Sequence, residues 1–90
     1  MPSYIVETFL PRGAAGEREM RDRRARSAAK GMTREGTPIG FKGSVYVPED
    51  EICFFTFLAA TDRDATLVAR RAGLEPLRVV EAIPSGKVEP

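Results

Sequence analysis

The sequence contains no histidine and no tryptophan, and its single cysteine is Cys53. Without histidine the chain lacks the commonest general base at neutral pH and the commonest transition-metal ligand. One cysteine excludes an internal disulfide, and a thiol inside an apolar run suits a reducing compartment. No uninterrupted apolar run approaches the ~20 residues that cross a bilayer as a helix. The first residues lack the basic, then apolar, then small-residue order of a secretory signal, so a cytoplasmic location is expected. Net charge is nearly absent as well, since 14 basic against 13 acidic side chains leave +1. That balance selects no partner; only the distribution of charge along the chain can do so.

What is present is ordinary for a folded domain. Ninety residues, 42% hydrophobic and 30% charged, make one domain with one core. We place that domain at residues 1–86 and read 87–90 as a frayed tail.

The stretch from Ser44 to Phe57 sets two aromatic-rich, β-branched runs around Pro48, Glu49, Asp50 and Glu51. Strand-formers on either side of a proline-led turn predict a β-hairpin. Upstream, Ser3–Leu10 reads as a strand closed by Pro11. From Ala14 to Arg34 alanine, arginine, glutamate and methionine dominate, and Ala25, Ala28, Ala29 and Met32 form a narrow apolar stripe at helical spacing. Thr37-Pro38 ends that helix, and Ile39–Val47 follows as a strand in which Gly40 and Gly43 suggest a bulge or bend. Ile52–Leu58 is apolar on both faces, the mark of a central strand. Thr61 with Asp64 resembles a capping box opening a second helix, with Ala65, Val68, Ala69 and Ala72 on one side and Gly73 at its end. Leu77–Ile83 is the last strand.

The order β-α-β-β-α-β with right-handed crossovers gives an α+β, ferredoxin-like sandwich, a four-stranded antiparallel sheet with both helices on one face. Tyr4, Tyr46, Phe54, Phe55 and Phe57 exceed what one helix-covered face would take. The open face is therefore expected to be apolar and to need a partner. Two copies packing these faces together would form a dimeric α/β barrel.

The run Ser44–Phe54, with Ala72–Leu74, Arg78–Ala82 and the opening Tyr4–Glu7, resembles a family of small bacterial ferredoxin-like proteins. That family is catalogued as a domain of unknown function, and one member is described as a nickel-binding protein. The resemblance spans nearly the whole chain and implies the fold derived above, a dimer, and metal binding of the nickel type as an alternative function. Nickel favours imidazole ligands, which this chain does not supply, whereas an all-carboxylate site suits magnesium, calcium or manganese. In fold the chain is also similar to dimeric α/β-barrel polyketide cyclases and cofactor-free monooxygenases.

Glu7 and Glu81 lie mid-strand on the first and fourth strands, which are neighbours in this topology. Pointing into one cavity, they would raise one another's pKa and form an acid/base pair. Outward-facing, either would be a solvated glutamate or an ion-pair partner of Arg78 or Lys42. Lys42, Ser44 and Tyr46 share one face by alternation; Tyr46 and Ser44, with a glutamate, could orient a small aromatic substrate, or equally these residues are the ordinary polarity of an edge strand. Tyr4, Phe55, Phe57 and Thr56 complete the expected ligand-binding set. Cys53, with apolar neighbours and no histidine, reads as a buried structural thiol. Glu49, Asp50 and Glu51 lack the spacing of a calcium loop and read as a solvated turn. The first helix and its flanks carry eight basic residues against Glu17, Glu19 and Asp22. They encircle the helix, and the sheet lacks an RNA-recognition signature, so a solvated helix is the favoured reading and nucleic acid is not the expected partner; an interaction or nucleic-acid-binding module through this arginine-rich helix stands as a third function. The expected function is a homodimer that binds a small apolar or aromatic molecule, with a cofactor-free acid/base step such as cyclisation assigned to Glu7, Glu81 and Tyr46. No cofactor, metal site or membrane is expected.

Overall fold

A computed structural model describes residues 1–85. Its elements follow the order β1 (Ser3–Phe9), α1 (Arg18–Arg34), β2 (Ile39–Val47), β3 (Ile52–Ala59), α2 (Asp62–Arg71) and β4 (Arg78–Ala82). The strands form one antiparallel sheet in the order β2-β3-β1-β4. The expected tail, residues 87–90, lies outside the described residues.

Alternation decides which side of each central strand is sealed. On β1 the buried set is Tyr4, Val6 and Thr8; on β3 it is Cys53, Phe55, Phe57 and Ala59. Both helices pack on that side through small residues, Ala25, Ala28 and Ala29 from α1 and Ala65, Val68 and Ala69 from α2. Alanine stripes let the helix backbones approach closely, and the volume between is filled by the rings of Phe55 and Phe57, both fully buried. Removing each ring from water contributes about 1.5–3 kcal/mol. Among the described residues Thr8 is the one fully buried polar residue, and its hydroxyl donates to the Cys53 carbonyl at 2.9 Å.

The helix ends follow local chemistry. Thr61 caps α2 by accepting from the Asp64 N–H at 3.1 Å. The chain leaves α2 through Gly73 at φ +73°, a conformation that costs glycine little. The first helix, expected from Ala14, begins at Arg18 and is preceded by a 3-10 segment, Arg12–Glu17. Gly13 and Gly16 in that segment weaken regular helix. The last ladder is one residue shorter at each end than expected, although Leu77 N–H still donates to the Glu7 carbonyl at 2.7 Å. A register shift between Phe41 and Gly43 interrupts the β2–β3 ladder, with Gly43 at φ +122°. This is the bulge anticipated from the glycines.

Candidate functional site

Residues directly opposite one another in a ladder share a face. The registers therefore write the open face as rows across the sheet: Val47, Ile52 and Phe9; Val45, Phe54, Glu7 and Arg78; Gly43, Thr56, Ile5 and Val80; Gly40, Leu58, Ser3 and Ala82. No helix among the described residues covers these rows, and Phe9 and Val45 are more than half exposed, at 52% and 61%. In the second row the Glu7 carboxylate lies 3.5 Å from Nε of Arg78. That pair is the charged feature of these rows, whose other side chains are apolar apart from Ser3 and Thr56. The Glu7 side chain is 29% exposed and that of Arg78 64%, so the glutamate is the more sheltered partner.

The candidate residues divide between the two faces. Glu7 and Thr56 stand on the open one, two rows of a shared apolar field. Tyr4, Ser44, Tyr46, Phe55, Phe57 and Glu81 stand on the helix-covered one. Glu81 opposes Tyr4, not Glu7. The expected Glu7–Glu81 acid/base pair is corrected accordingly: an odd spacing along a strand turns side chains to opposite faces. The outward-facing alternative holds for Glu7, whose partner is Arg78.

Tyr46 is likewise committed elsewhere than to Glu7. Its hydroxyl donates to the Leu10 carbonyl at 2.8 Å and ties β2 to the end of β1. Ser44 receives Arg18, whose Nη2 donates to the Ser44 carbonyl at 2.9 Å and Nε to its hydroxyl at 3.3 Å. Phe55 and Phe57 are core rings tilted against Phe41, at centroid separations of 6.3 and 5.3 Å. Lys42, grouped with Ser44 and Tyr46 by simple alternation, falls at the register shift and is exposed. Four of the five surplus aromatics, Tyr4, Tyr46, Phe55 and Phe57, are thus taken by the covered side, whereas Phe54 stands on the open face with Phe9 and the aliphatic side chains.

Tyr4 and Glu81 do meet. Burial raises the Tyr4 hydroxyl above the usual phenol value, and the charges of Glu81, Asp62 and Asp64 raise it further. At neutral pH that hydroxyl keeps its proton and is not a base.

Cys53 is fully buried, and burial pushes its thiol up, with the Arg18 charge acting in the opposite sense. A sealed neutral thiol is no nucleophile. Among the described residues no three histidine, cysteine, aspartate or glutamate side chains come together as metal ligands, and no helix is long and apolar enough to cross a membrane. The acidic turn is closed by backbone bonds, and Glu51 Oε2 accepts from the Arg12 N–H at 2.9 Å.

Several arginines of the basic helix serve the fold. Arg18 reaches β2, Arg21 donates to the Phe9 carbonyl at 3.1 Å, and Arg24 donates to the Ala72 carbonyl at 2.9 Å, capping α2. One feature escaped sequence reasoning, the run of open-face aliphatics, because it depends on which side of each strand the helices take; the choice of Arg78 over Lys42 as the partner of Glu7 depends on register.

No protein-family model matches the chain, and no curated protein sequence matches it significantly. Among solved structures, the crystal structure of SCO4226 from Streptomyces coelicolor A3(2) is similar, with a TM-score of 0.68 over 93% of this chain and 99% of that one. Sequence identity is 12%, so the likeness concerns the fold alone. Together with the strand order, it establishes an α+β ferredoxin-like arrangement.

Proposed function

We propose that the chain acts as a homodimer whose open sheet faces close on one another as an α/β barrel, holding a small, mostly apolar molecule between them. One observation carries this reading: the sheet face opposite the helices presents Ile5, Phe9, Val45, Val47, Ile52, Phe54, Leu58 and Val80, and no helix or strand among the described residues lies above them. A contiguous apolar face of this kind is rare on a monomer unless something binds it. A second copy is the occupant that presents the same face, and self-complementary association is the commonest route to an oligomer.

Within such a barrel the Glu7–Arg78 pair is the polar handle. Arg78 offers guanidinium donors to a ligand oxygen, and Glu7 offers an acceptor. Glu7 is also the only carboxylate in the four rows, so an acid/base step on the bound molecule would fall to it, without Glu81 or Tyr46. The role assigned to the barrel is binding first; proton transfer by Glu7 is secondary to it.

Sedimentation equilibrium combined with fluorescence titration of neutral 2-naphthol tests the reading. The expected mass is twice the 9.9 kDa of one chain, with saturable naphthol binding. Val45→Asp sits at an exposed position of the single chain, so it leaves the protomer folded. It would bury an unpaired charge in the dimer, giving the monomer mass and no naphthol binding. A wild-type monomer, or naphthol binding indifferent to Val45→Asp, overturns the proposal.

A further inference from the structure

On the helix side of the molecule, a cleft of about 520 Å³ opens between α1 and the first residues of β2. Its size falls within the range of small-molecule sites, about 300–1,000 Å³. Ala29, Ile39 and Phe41 form an apolar floor, and Arg26, Lys30 and Arg34 stand along the rim. We propose that this cleft binds a small amphipathic anion, a flat apolar body ending in a carboxylate or phosphate group.

The charge pattern of α1 points to a ligand here. In the first half of the helix and just before it, cations are matched at four-residue spacing, Arg21 with Glu17 and Arg23 with Glu19. In the second half the same spacing places Arg26, Lys30 and Arg34 one above another. None of these three joins an ion pair among the described residues, and no acidic side chain lines the cleft. Like charges at this spacing are mildly unfavourable in a helix. The helix dipole accounts for a cation in the last turn, where Arg34 lies, but its influence fades before Lys30 and Arg26.

The walls are already fixed. The Arg26 guanidinium lies 5.3 Å from the centroid of the Phe41 ring, and that ring is anchored against Phe57 in the core. The Thr33 hydroxyl donates to the Ile39 carbonyl and accepts from the Ile39 N–H, both at 3.0 Å, holding the start of β2 against the helix. β2 is an edge strand, so the cleft stays open on its outer side. An apolar ring fits against Phe41 and Ile39, and its anionic end meets guanidinium and ammonium donors in charge-assisted hydrogen bonds. The site is on the opposite side of the sheet from the barrel face and stands independently of the dimer.

The test is a titration of isotope-labelled full chain with 2-naphthoate, 2-naphthyl phosphate and neutral 2-naphthalenemethanol, followed through backbone amide shifts. At least one anion should move the amides of Ala29, Gly40 and Phe41 saturably, and which of them binds identifies the headgroup. The alcohol should bind that cleft about tenfold more weakly or worse. Lys30→Glu with Arg34→Glu, both at exposed positions, should weaken anion binding by about tenfold or more. The matched charge change on α2, Arg63→Glu with Arg70→Glu, should leave it within about twofold. The proposal is overturned if neither anion moves those amides, if the shifts appear at Ile5 and Phe54 instead, if the alcohol binds the cleft equally well, or if both double variants behave alike.

Discussion

Glu7 and Glu81 occupy adjacent strands and project from opposite faces of the sheet, Glu7 across from Arg78 and Glu81 across from Tyr4. The intervening sheet separates their charges, and each has its own neighbour. One carboxylate belongs to the open apolar face and the other to the rim of the helix-packed side.

This separation predicts additivity. The stability changes of Glu7→Gln and Glu81→Gln, measured by urea unfolding, should sum in the double variant to within about 0.5 kcal/mol. The Glu7–Arg78 pair, by contrast, should show a coupling of about 0.2–1 kcal/mol, as partly exposed ion pairs do. A coupling above ~1 kcal/mol between the two glutamates would contradict the assigned faces.

Tyr46 is expected to be structural. Tyr46→Phe removes the 2.8 Å bond to the Leu10 carbonyl and should lower stability by about 1 kcal/mol. Sedimentation mass and 2-naphthol binding should not change. A loss of binding with unchanged stability would return Tyr46 to the site.

The Arg71–Glu35 pair predicts a pH dependence. Two bonds of 2.7 Å from Arg71 hold the Glu35 carboxyl below the usual carboxylate range. The folded chain therefore binds this proton less readily than the unfolded chain, and the contribution is complete above the unfolded value, about 4.3. It is lost as pH falls through that value and down to the lowered folded pKa. Both side chains are well exposed, so the effect is small. Thermal unfolding of Glu35→Gln should fall less steeply with acid than that of wild type; an identical slope would remove Glu35 from the acid response.

Much of the fold was legible because the sequence states it locally. Thr61 with Asp64 announces the start of α2, Gly73 its end, Gly43 the bulge, and the doubly apolar Ile52–Leu58 a central strand. The faces were not legible. Alternation sorts Tyr4, Val6 and Thr8 from Ile5, Glu7 and Phe9, but both sets hold apolar and polar members. Pattern alone therefore does not say which set the helices cover. The register of β4 adds the same difficulty, since sliding it would exchange Arg78 for a neighbour opposite Glu7. Counting Tyr4, Tyr46, Phe54, Phe55 and Phe57 against one helix-covered face suggests a surplus, because a count does not show how much room the helices leave. In the structure, small alanine-faced helices leave room for all of these rings but that of Phe54.

The central claim is that two copies meet through the open sheet face. Isotope-filtered NMR on a mixture of labelled and unlabelled chains measures that contact directly. Intermolecular contacts are expected from the methyl groups of Ile5, Val45, Ile52 and Leu58. Their absence, or contacts confined to α1 and α2, would contradict it.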